Sequence, residues 1–328
     1  MGVGRTQVLR AVAGIAISAI ALAVVARSVD LAATAEVLRS AASGWLVAAA
    51  GLIVVDIAIR AVRWQRLVAP VAVVRLPRML GYLLIGYLAN NVLPARLGEL
   101  VRCHYLGDRE GLSRTTALGT VVVERVVDIA VVVAIAAIAI LVLSVRGVVA
   151  GAVLIGAAIA ALLAVGLAVG VAAHRIPGAD RLAGTASRWP RAGELTTKLR
   201  DGLAVAGRPR TLAEALGLSV VAWGATLLAF AAAGQAVGVE LTIGQASLLA
   251  AGVALAAAIP AGPASLGTYE LAAVRIGQAV GVPAEASLAI AILTHGLILV
   301  ITTGGGLVAL ARVAVARPAV EGEAQGAE

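Results

Sequence analysis

The sequence is poor in charged, aromatic and sulfur-containing residues. Of its 328 residues, 13% are charged and 3% are aromatic, and Lys198 is the only lysine. Soluble domains carry about a quarter charged residues, so this composition excludes an ordinary soluble domain. The single cysteine, Cys103, rules out an internal disulfide and a CxxC metal site. The chain also lacks a Walker A motif, an HExxH motif and a nucleophile elbow, so we expect no ATP-binding module, no resident metal and no cofactor.

Long apolar runs occupy most of the chain. Hydrophobic residues make up 61% of it, and the mean hydropathy is +1.01. About 20 consecutive apolar residues are needed for a helix to cross a bilayer. The runs therefore predict an all-α polytopic membrane protein with about six transmembrane helices, at residues 7–26, 42–59, 116–145, 148–173, 212–237 and 284–311.

The arginines between these runs predict the orientation. Residues 60–78 hold five arginines and no acid, and residues 174–211 hold eight basic residues against three acidic ones. Basic loops are retained on the cytoplasmic side. Six crossings with both termini in the cytoplasm place each of these segments there, so we expect a multi-pass protein of the inner (cytoplasmic) membrane.

Two further apolar segments, residues 79–93 and 245–259, are too short for a simple crossing and run into polar sequence rich in proline and glycine. Irregular backbone at membrane depth persists only where it is packed in protein or lines a wet cavity. These segments therefore predict two re-entrant helical hairpins that enter from opposite faces. The residues expected to break the backbone are Pro94 and Gly98 in the first hairpin, and Pro260, Gly262, Pro263 and Gly267 in the second.

The two hairpins are also similar in sequence. The Glu99–Leu100 pair aligns with Glu270–Leu271, and residues 111–128 align without a gap with residues 281–298. Opposed copies of this kind form the inverted repeats of many transporters. We therefore predict one membrane domain over residues 1–315, with a first repeat at 79–173, a basic cytoplasmic loop at 174–211 and a second repeat at 245–311, followed by a short disordered cytoplasmic tail at 316–328.

Charged residues lie in and after the first hairpin. Arg96, Glu99 and Arg102 have helical spacing and would form one row beside Asn90, with arginine forks that suit phosphate or carboxylate. An ion-paired surface row is the alternative. Glu124, Arg125 and Asp128 lie near the start of the long span that follows. Charges inside an apolar span usually face the bundle interior and indicate function, although a purely structural ion-pair cluster would also explain these three residues. The candidate substrate-binding set is Asn90, Arg96, Glu99, Arg102, Glu124, Arg125, Asp128 and Glu270.

Secondary candidates lie elsewhere. Asp56, Arg60 and Arg63 end the second span together with Trp64, where snorkelling and interfacial anchoring are the simpler explanation. Tyr269 belongs to the polar end of the second hairpin. His295 lies inside the last span, where it could titrate near neutral pH or only fill the core.

Four motifs in order along the chain resemble one family. They are RAVRW (residues 60–64), NNVLPARLGELVR (90–102), ERVVD (124–128) and PAGPASLGTYE (260–270). Together they resemble the lysylphosphatidylglycerol synthase transmembrane region family, also called the flippase-like domain family, over about residues 8–311. In aminoacyl-phosphatidylglycerol synthases, a similar membrane region moves the modified lipid between leaflets and a separate soluble domain makes it. The present sequence has no such soluble domain, so we expect no lipid aminoacylation.

The resemblance and the charged hairpins together predict a lipid translocase. Its partner would be a membrane phospholipid or a polyprenyl-phosphate lipid, with a lipid-modifying enzyme as a possible protein partner and no nucleic acid. Archaeal relatives that transfer sugar from polyprenyl phosphate make a membrane glycosyltransferase the first alternative. A non-transporting scaffold of an envelope enzyme is the second.

Overall fold

The computed structural model describes residues 5–93, 97–175, 207–258 and 261–315. Within these ranges the chain forms eleven α-helices, one short 3-10 helix and no strand. The predicted all-α fold is confirmed. The helices are α1 (Arg5–Ser28), α2 (Leu31–Arg39), α3 (Ser43–Val68), α4 (Leu76–Val92), α5 (Gly98–Glu110), α6 (Arg114–Leu143), α7 (Val148–Arg175), α8 (Pro209–Ala236), α9 (Ile243–Ala257), α10 (Thr268–Ala279) and α11 (Ala284–Val315), with the 3-10 helix at Pro263–Ser265.

Four helices in the described ranges are long and apolar enough to cross a membrane, namely α3, α6, α8 and α11. The pair α1 and α2 is a fifth candidate, bent by 87° between the two helices. The bend has a local cause, because the Asp30 carboxylate accepts hydrogen bonds from the backbone N–H groups of Ala32 and Ala33 and so starts a new helix. These spans make the chain a multi-pass membrane protein.

Large apolar side chains cover the outer faces of the spans. Val47 is 73% exposed, Leu141 78% and Val300 72%. In water such a surface would drive association, whereas in a bilayer it is the expected lipid-facing surface. Helix α3 continues to Val68, well past its predicted end at residue 59, and this extension carries arginine side chains into the core.

The two short apolar segments form α4 and α9. At about 1.5 Å per residue they are roughly 26 Å and 23 Å long, which is less than the bilayer core of about 30 Å. Pro77 lies at the start of α4, and a capping box between Thr242 and Gln245 starts α9. Each is followed by a break and a second helix, α5 or α10. Their re-entrant course through the membrane stays a prediction.

The packing relates two sets of four helices. In the first set, α4 packs on α3 and α5, and α5 packs on α6; in the second, α9 packs on α8 and α10, and α10 packs on α11. Between the sets, α3 packs along α8, α4 on α11, and α9 on α6. Each contact in one set therefore has a counterpart in the other.

Candidate functional site

Six charged side chains from three helices form a network in the core. We call it the buried charge network: Asp56, Arg60 and Arg63 from α3, Arg102 from α5, and Glu124 and Asp128 from α6. Helical spacing accounts for part of it, because residues four apart lie on one face. Glu124 and Asp128 therefore point together at α3.

Arg63 is at the centre of this network and is fully buried. Its Nη1 donates to Asp128 Oδ1 at 2.6 Å and to the Ser219 hydroxyl at 2.6 Å, and its Nη2 donates to Glu124 Oε1 at 3.2 Å. One guanidinium thus joins two carboxylates of α6 to a hydroxyl of α8. The simpler interpretation of Arg63 as a snorkelling residue is wrong.

Arg60 extends the network along α3. Its Nε donates to both Asp56 oxygens at 2.9 Å, and its Nη1 donates to Asp128 Oδ2 at 3.0 Å. The guanidinium lies 5.2 Å from the ring centroid of Trp223, whose Nε1 donates to Asp128 Oδ1. The Thr226 hydroxyl donates to Asp56 Oδ1 at 3.2 Å. Helix α8 therefore supplies the polar groups that complete these ion pairs.

Arg102 reaches the network from α5. It binds Glu124 through two hydrogen bonds, of 3.1 and 3.2 Å, and stacks 4.6 Å from the ring centroid of Trp64. Trp64 is fully buried and donates to the Thr120 hydroxyl, so its prediction as an interfacial anchor is wrong. The predicted row had Arg102 beside Glu99, but its partner in the structure is Glu124.

A close approach between α4 and α5 positions Arg102. A Cβ on Gly98 would overlap the Gly86 carbonyl and lie 2.6 Å from Asn90 Oδ1. The same amide oxygen of Asn90 accepts the Gly98 N–H at 2.8 Å and so satisfies the free start of α5. Pro94 and Arg96, predicted for the hairpin tip, lie outside the described residues.

One edge of the network is accessible. The Arg125 side chain is 40% exposed and the Glu99 side chain 24% exposed, and their nearest charged atoms are 3.7 Å apart. Arg125 Nη2 also lies 3.5 Å from Glu124, and its Nε is buried without a hydrogen-bond partner. The same holds for Nε of Arg63 and Arg102, so what sets Arg125 apart is its exposure and its long contacts to carboxylates.

The network with its edge is electrically balanced. It holds four arginines, at 60, 63, 102 and 125, and four carboxylates, at 56, 99, 124 and 128. A buried charge is tolerated when it is paired and hydrogen-bonded, but loss of one partner leaves the other uncompensated. An anion that entered alone would upset this balance.

A second polar group, which we call the histidine cluster, consists of Tyr269 and Glu270 from α10 and Thr294 and His295 from α11. His295 Nδ1 lies 2.7 Å from Glu270 Oε1, and its Nε2 lies 3.0 Å from the Ala264 carbonyl. A carbonyl only accepts, so Nε2 carries a proton. A further proton must then lie between Nδ1 and the carboxylate.

Tyr269 completes the histidine cluster. Its ring stacks on the imidazole at a centroid distance of 4.2 Å, and its hydroxyl lies 3.1 Å from the Thr294 hydroxyl. The second Glu270 oxygen accepts the Gly267 N–H at 2.6 Å. All four side chains are buried, so the cluster is closed in this conformation.

The break before α10 carries unusual backbone geometry. Ala264, Ser265 and Gly267 have φ values of 56°, 58° and 87°, a region that costs a non-glycine residue of order 1–3 kcal/mol. Helix α1 stabilises this turn, because the Gly262 N–H donates to the Ser18 hydroxyl at 3.0 Å. Pro263 begins the 3-10 helix at the predicted break, and Pro260 lies outside the described residues.

The comparison with family models matches residues 11–306 to the model described as Lysylphosphatidylglycerol synthase TM region. The chain belongs to this family. No match was found among curated proteins or among solved structures.

In this family member, the polar residues of α8 were missed at the sequence level. Ser219, Trp223 and Thr226 lie at i, i+4 and i+7 on one face of the central, apolar part of α8. That spacing was a usable signal, because polar groups on one face of a span predict contact with a polar interior. Ser18 on α1 had no comparable signal, since its partner is a backbone N–H distant in sequence.

A small void separates the network from the histidine cluster. It has a volume of about 30 Å³ and is lined by Asp56 and Thr226 on one side and Thr294 on the other. A water molecule needs about 10–15 Å³ of such volume and polar partners, so the void can hold water but not a lipid headgroup. Among the described residues, no group of three or more His, Cys, Asp or Glu side chains is arranged to hold a metal.

Proposed function

We propose that this protein is a lipid translocase of the cytoplasmic membrane. It moves a phospholipid or polyprenyl-phosphate lipid between leaflets while the headgroup passes between the two hairpins and the tails stay in lipid. The observation that carries the proposal is the balanced charge network between membrane-spanning helices, with one accessible edge at Arg125 and Glu99. A charge at the bilayer centre costs about 3 kcal/mol or more, so sheltering the headgroup is the main task of such a protein.

The pairing of aligned residues supports an inverted repeat. Glu99 and Glu270 occupy equivalent positions in the two hairpin arms, and Arg125 and His295 are equivalent on the long helices that follow. Glu99 pairs with Arg125, and Glu270 pairs with His295. The matched helix packing of the two sets agrees with this pairing. Opposed repeats of this kind place the substrate between their broken helices.

The accessible edge supports a specific route for the phosphate. Arg125 offers a guanidinium whose side chain is 40% exposed and whose contact with Glu99 is long, at 3.7 Å, and Arg102 lies behind it on Glu124. A phosphate is a strong bidentate partner for arginine and would replace Glu99 on Arg125. The released Glu99 carboxylate would then receive a cationic part of the headgroup.

The charge balance favours a zwitterionic headgroup. Four arginines and four carboxylates leave no net charge. A phosphate that enters with its own amine preserves that balance, whereas an isolated anion would require a proton. Glu270 and His295 share such a proton, so they are the candidate carriers when the headgroup is anionic.

Translocation then requires the site to open. The void of about 30 Å³ between the network and the histidine cluster is too small for a headgroup. The conformation described here is therefore a closed one in the proposed cycle, and the space beside Asp56 and Thr294 would widen as the helix sets separate.

Scrambling of a fluorescent phospholipid in proteoliposomes tests the proposal. Glu99→Gln and Arg125→Gln should each slow it about tenfold or more, because each removes a charge-assisted contact worth about 1.5–3 kcal/mol. Arg96→Ala should slow it as well, because the sequence predicts this arginine for the tip of the first hairpin. Arg210→Gln, which alters an exposed pair with Glu214, is the control. Wild-type rates in all three variants would refute the proposed site.

The same preparation separates the alternatives. Transfer of sugar from a labelled polyprenyl-phosphate donor, without lipid scrambling, would favour a glycosyltransferase. Stoichiometric co-purification with an envelope enzyme, again without scrambling, would favour a scaffold.

A further inference from the structure

A groove lies between the first half of α4 and the last turns of α11, away from both polar clusters. Its volume is about 530 Å³, within the range of about 300–1,000 Å³ for small-molecule sites. Leu80 and Leu84 line it from α4, and Val308 and Val313 line it from α11. At one end, Leu84 packs closely against Gly305 and Gly306.

The other end of the groove is strongly basic. Arg78, Arg109 and Arg312 line it, with Glu110 as the neighbouring acid. The Arg78 side chain is 61% exposed and its contact with Glu110 is long, at 3.4 Å. Arg109 Nη2 donates to the Val313 carbonyl at 2.9 Å, which fixes this guanidinium beside the groove. Arg78 and Arg312 together outweigh the neighbouring carboxylate of Glu110, so this end of the groove favours an anion.

We propose that this groove binds an anionic glycerophospholipid, with an acyl chain along the apolar walls and the phosphate on Arg78 and Arg312. A neutral lipid would occupy the apolar part of the groove but would leave the arginines without an anion. A soluble anion would bind the arginines but would leave the apolar part of the groove unoccupied. Only an amphiphile with a negative headgroup satisfies both halves.

The position of the groove agrees with this occupant. Arg78 belongs to the basic segment at residues 60–78, and Arg312 directly follows the last predicted span; the sequence predicts both on the cytoplasmic side. Anionic lipids of that leaflet attract arginines at the ends of spans. The site is distinct from the proposed translocation site, because Glu99, Arg102 and Arg125 do not line the groove.

Native mass spectrometry of the full chain, released from detergent with added lipid, tests the proposal. The probes are short-chain phosphatidylglycerol and phosphatidylcholine. Arg78→Gln combined with Arg312→Gln should weaken phosphatidylglycerol binding at least fivefold and leave phosphatidylcholine binding unchanged. The matched control, Arg66→Gln with Arg210→Gln, removes the same charge from other exposed arginines and should bind as wild type.

A second variant checks the apolar half. Val308→Trp places a larger side chain in the groove and should also weaken phosphatidylglycerol binding, with the arginines intact. The proposal is wrong if the Arg66/Arg210 control loses phosphatidylglycerol binding to the same extent. It is also wrong if wild type binds the two lipids equally, or if inorganic phosphate competes fully with phosphatidylglycerol. Only folded ions are scored, so partial unfolding of a variant does not imitate the result. Lipid binding is measured without transport, so failure of the translocase proposal would leave this outcome unaffected.

Discussion

The Glu124→Gln substitution tests whether the buried charge network stabilises the fold. Glu124 is 1% exposed and accepts hydrogen bonds from Arg102 at 3.1 and 3.2 Å and from Arg63 at 3.2 Å. Glutamine keeps the size of the side chain but removes its charge and points an N–H₂ group toward a guanidinium. Two buried arginines would then lose part of their compensation.

The expected cost follows from these contacts. Removing one partner of a buried ion pair costs about 3–5 kcal/mol, and in a chain of this size about 1 kcal/mol lowers the melting temperature by about 2 °C. Glu124→Gln should therefore melt about 6–10 °C below wild type in detergent. The readout is thermal unfolding followed by circular dichroism or by light scattering.

Two further variants make this prediction refutable. Glu214→Gln removes an exposed acid paired with Arg210 and should change stability by at most about 0.5 kcal/mol. Glu124→Gln combined with Arg102→Gln should cost less than the sum of the single changes, since the two residues contact each other. If Glu124→Gln melts like Glu214→Gln, the network contributes little to the fold and the reasoning is wrong.

Three further outcomes are expected. Gly98→Ala should lower the melting temperature by several degrees, because its Cβ would overlap the Gly86 carbonyl, while Gly224→Ala in open space on α8 should be neutral or stabilising. Glu270→Gln should destabilise by about 1.5–3 kcal/mol, as expected for a charge-assisted hydrogen bond, and Tyr269→Phe by about 1 kcal/mol or less in the same melting assay. Diethyl pyrocarbonate should modify exposed His104 rapidly and buried His295 slowly. Addition of a transported lipid should accelerate the modification of His295 and leave that of His104 unchanged. If the lipid does not change the modification rate of His295, the proposed opening is wrong.

The sequence predicted the helices well because apolar run length directly reflects the bilayer. Each of the six predicted crossings lies within or largely overlaps one helix, and both short segments appear as α4 and α9. Helix ends were less predictable. The second span was expected to stop at residue 59 because arginines follow it, but α3 continues to Val68, since Glu124 and Asp128 compensate Arg63 inside the core.

The sequence indicates the charged residues of the buried charge network but neither their pairings nor the polar residues of α8. Helical spacing correctly put Glu124 and Asp128 on one face. It could not show that Arg102 would bind Glu124, because that contact depends on how closely α5 approaches α4 and α6. The sequence predicts Gly98 as a backbone break, and the structure shows that it is also a point of close contact with Gly86 of α4. Tertiary contacts of this kind leave no periodic trace in the sequence.

The Glu99–Arg125 and Glu270–His295 pairs, which the proposed inverted repeat makes equivalent, differ in a way that bears on the proposed cycle. The Glu99–Arg125 pair is 3.7 Å long and partly exposed, whereas the Glu270–His295 pair is 2.7 Å long and its side chains are at most 9% exposed. In an inverted repeat, alternating access exchanges the conformations of the two units. The first unit would then be the half that is prepared to receive a headgroup in the present conformation, with the second unit closed. In the opposite state the Glu270–His295 pair would lengthen and become accessible as the Glu99–Arg125 pair closes, because one headgroup can disrupt only one of the two pairs at a time.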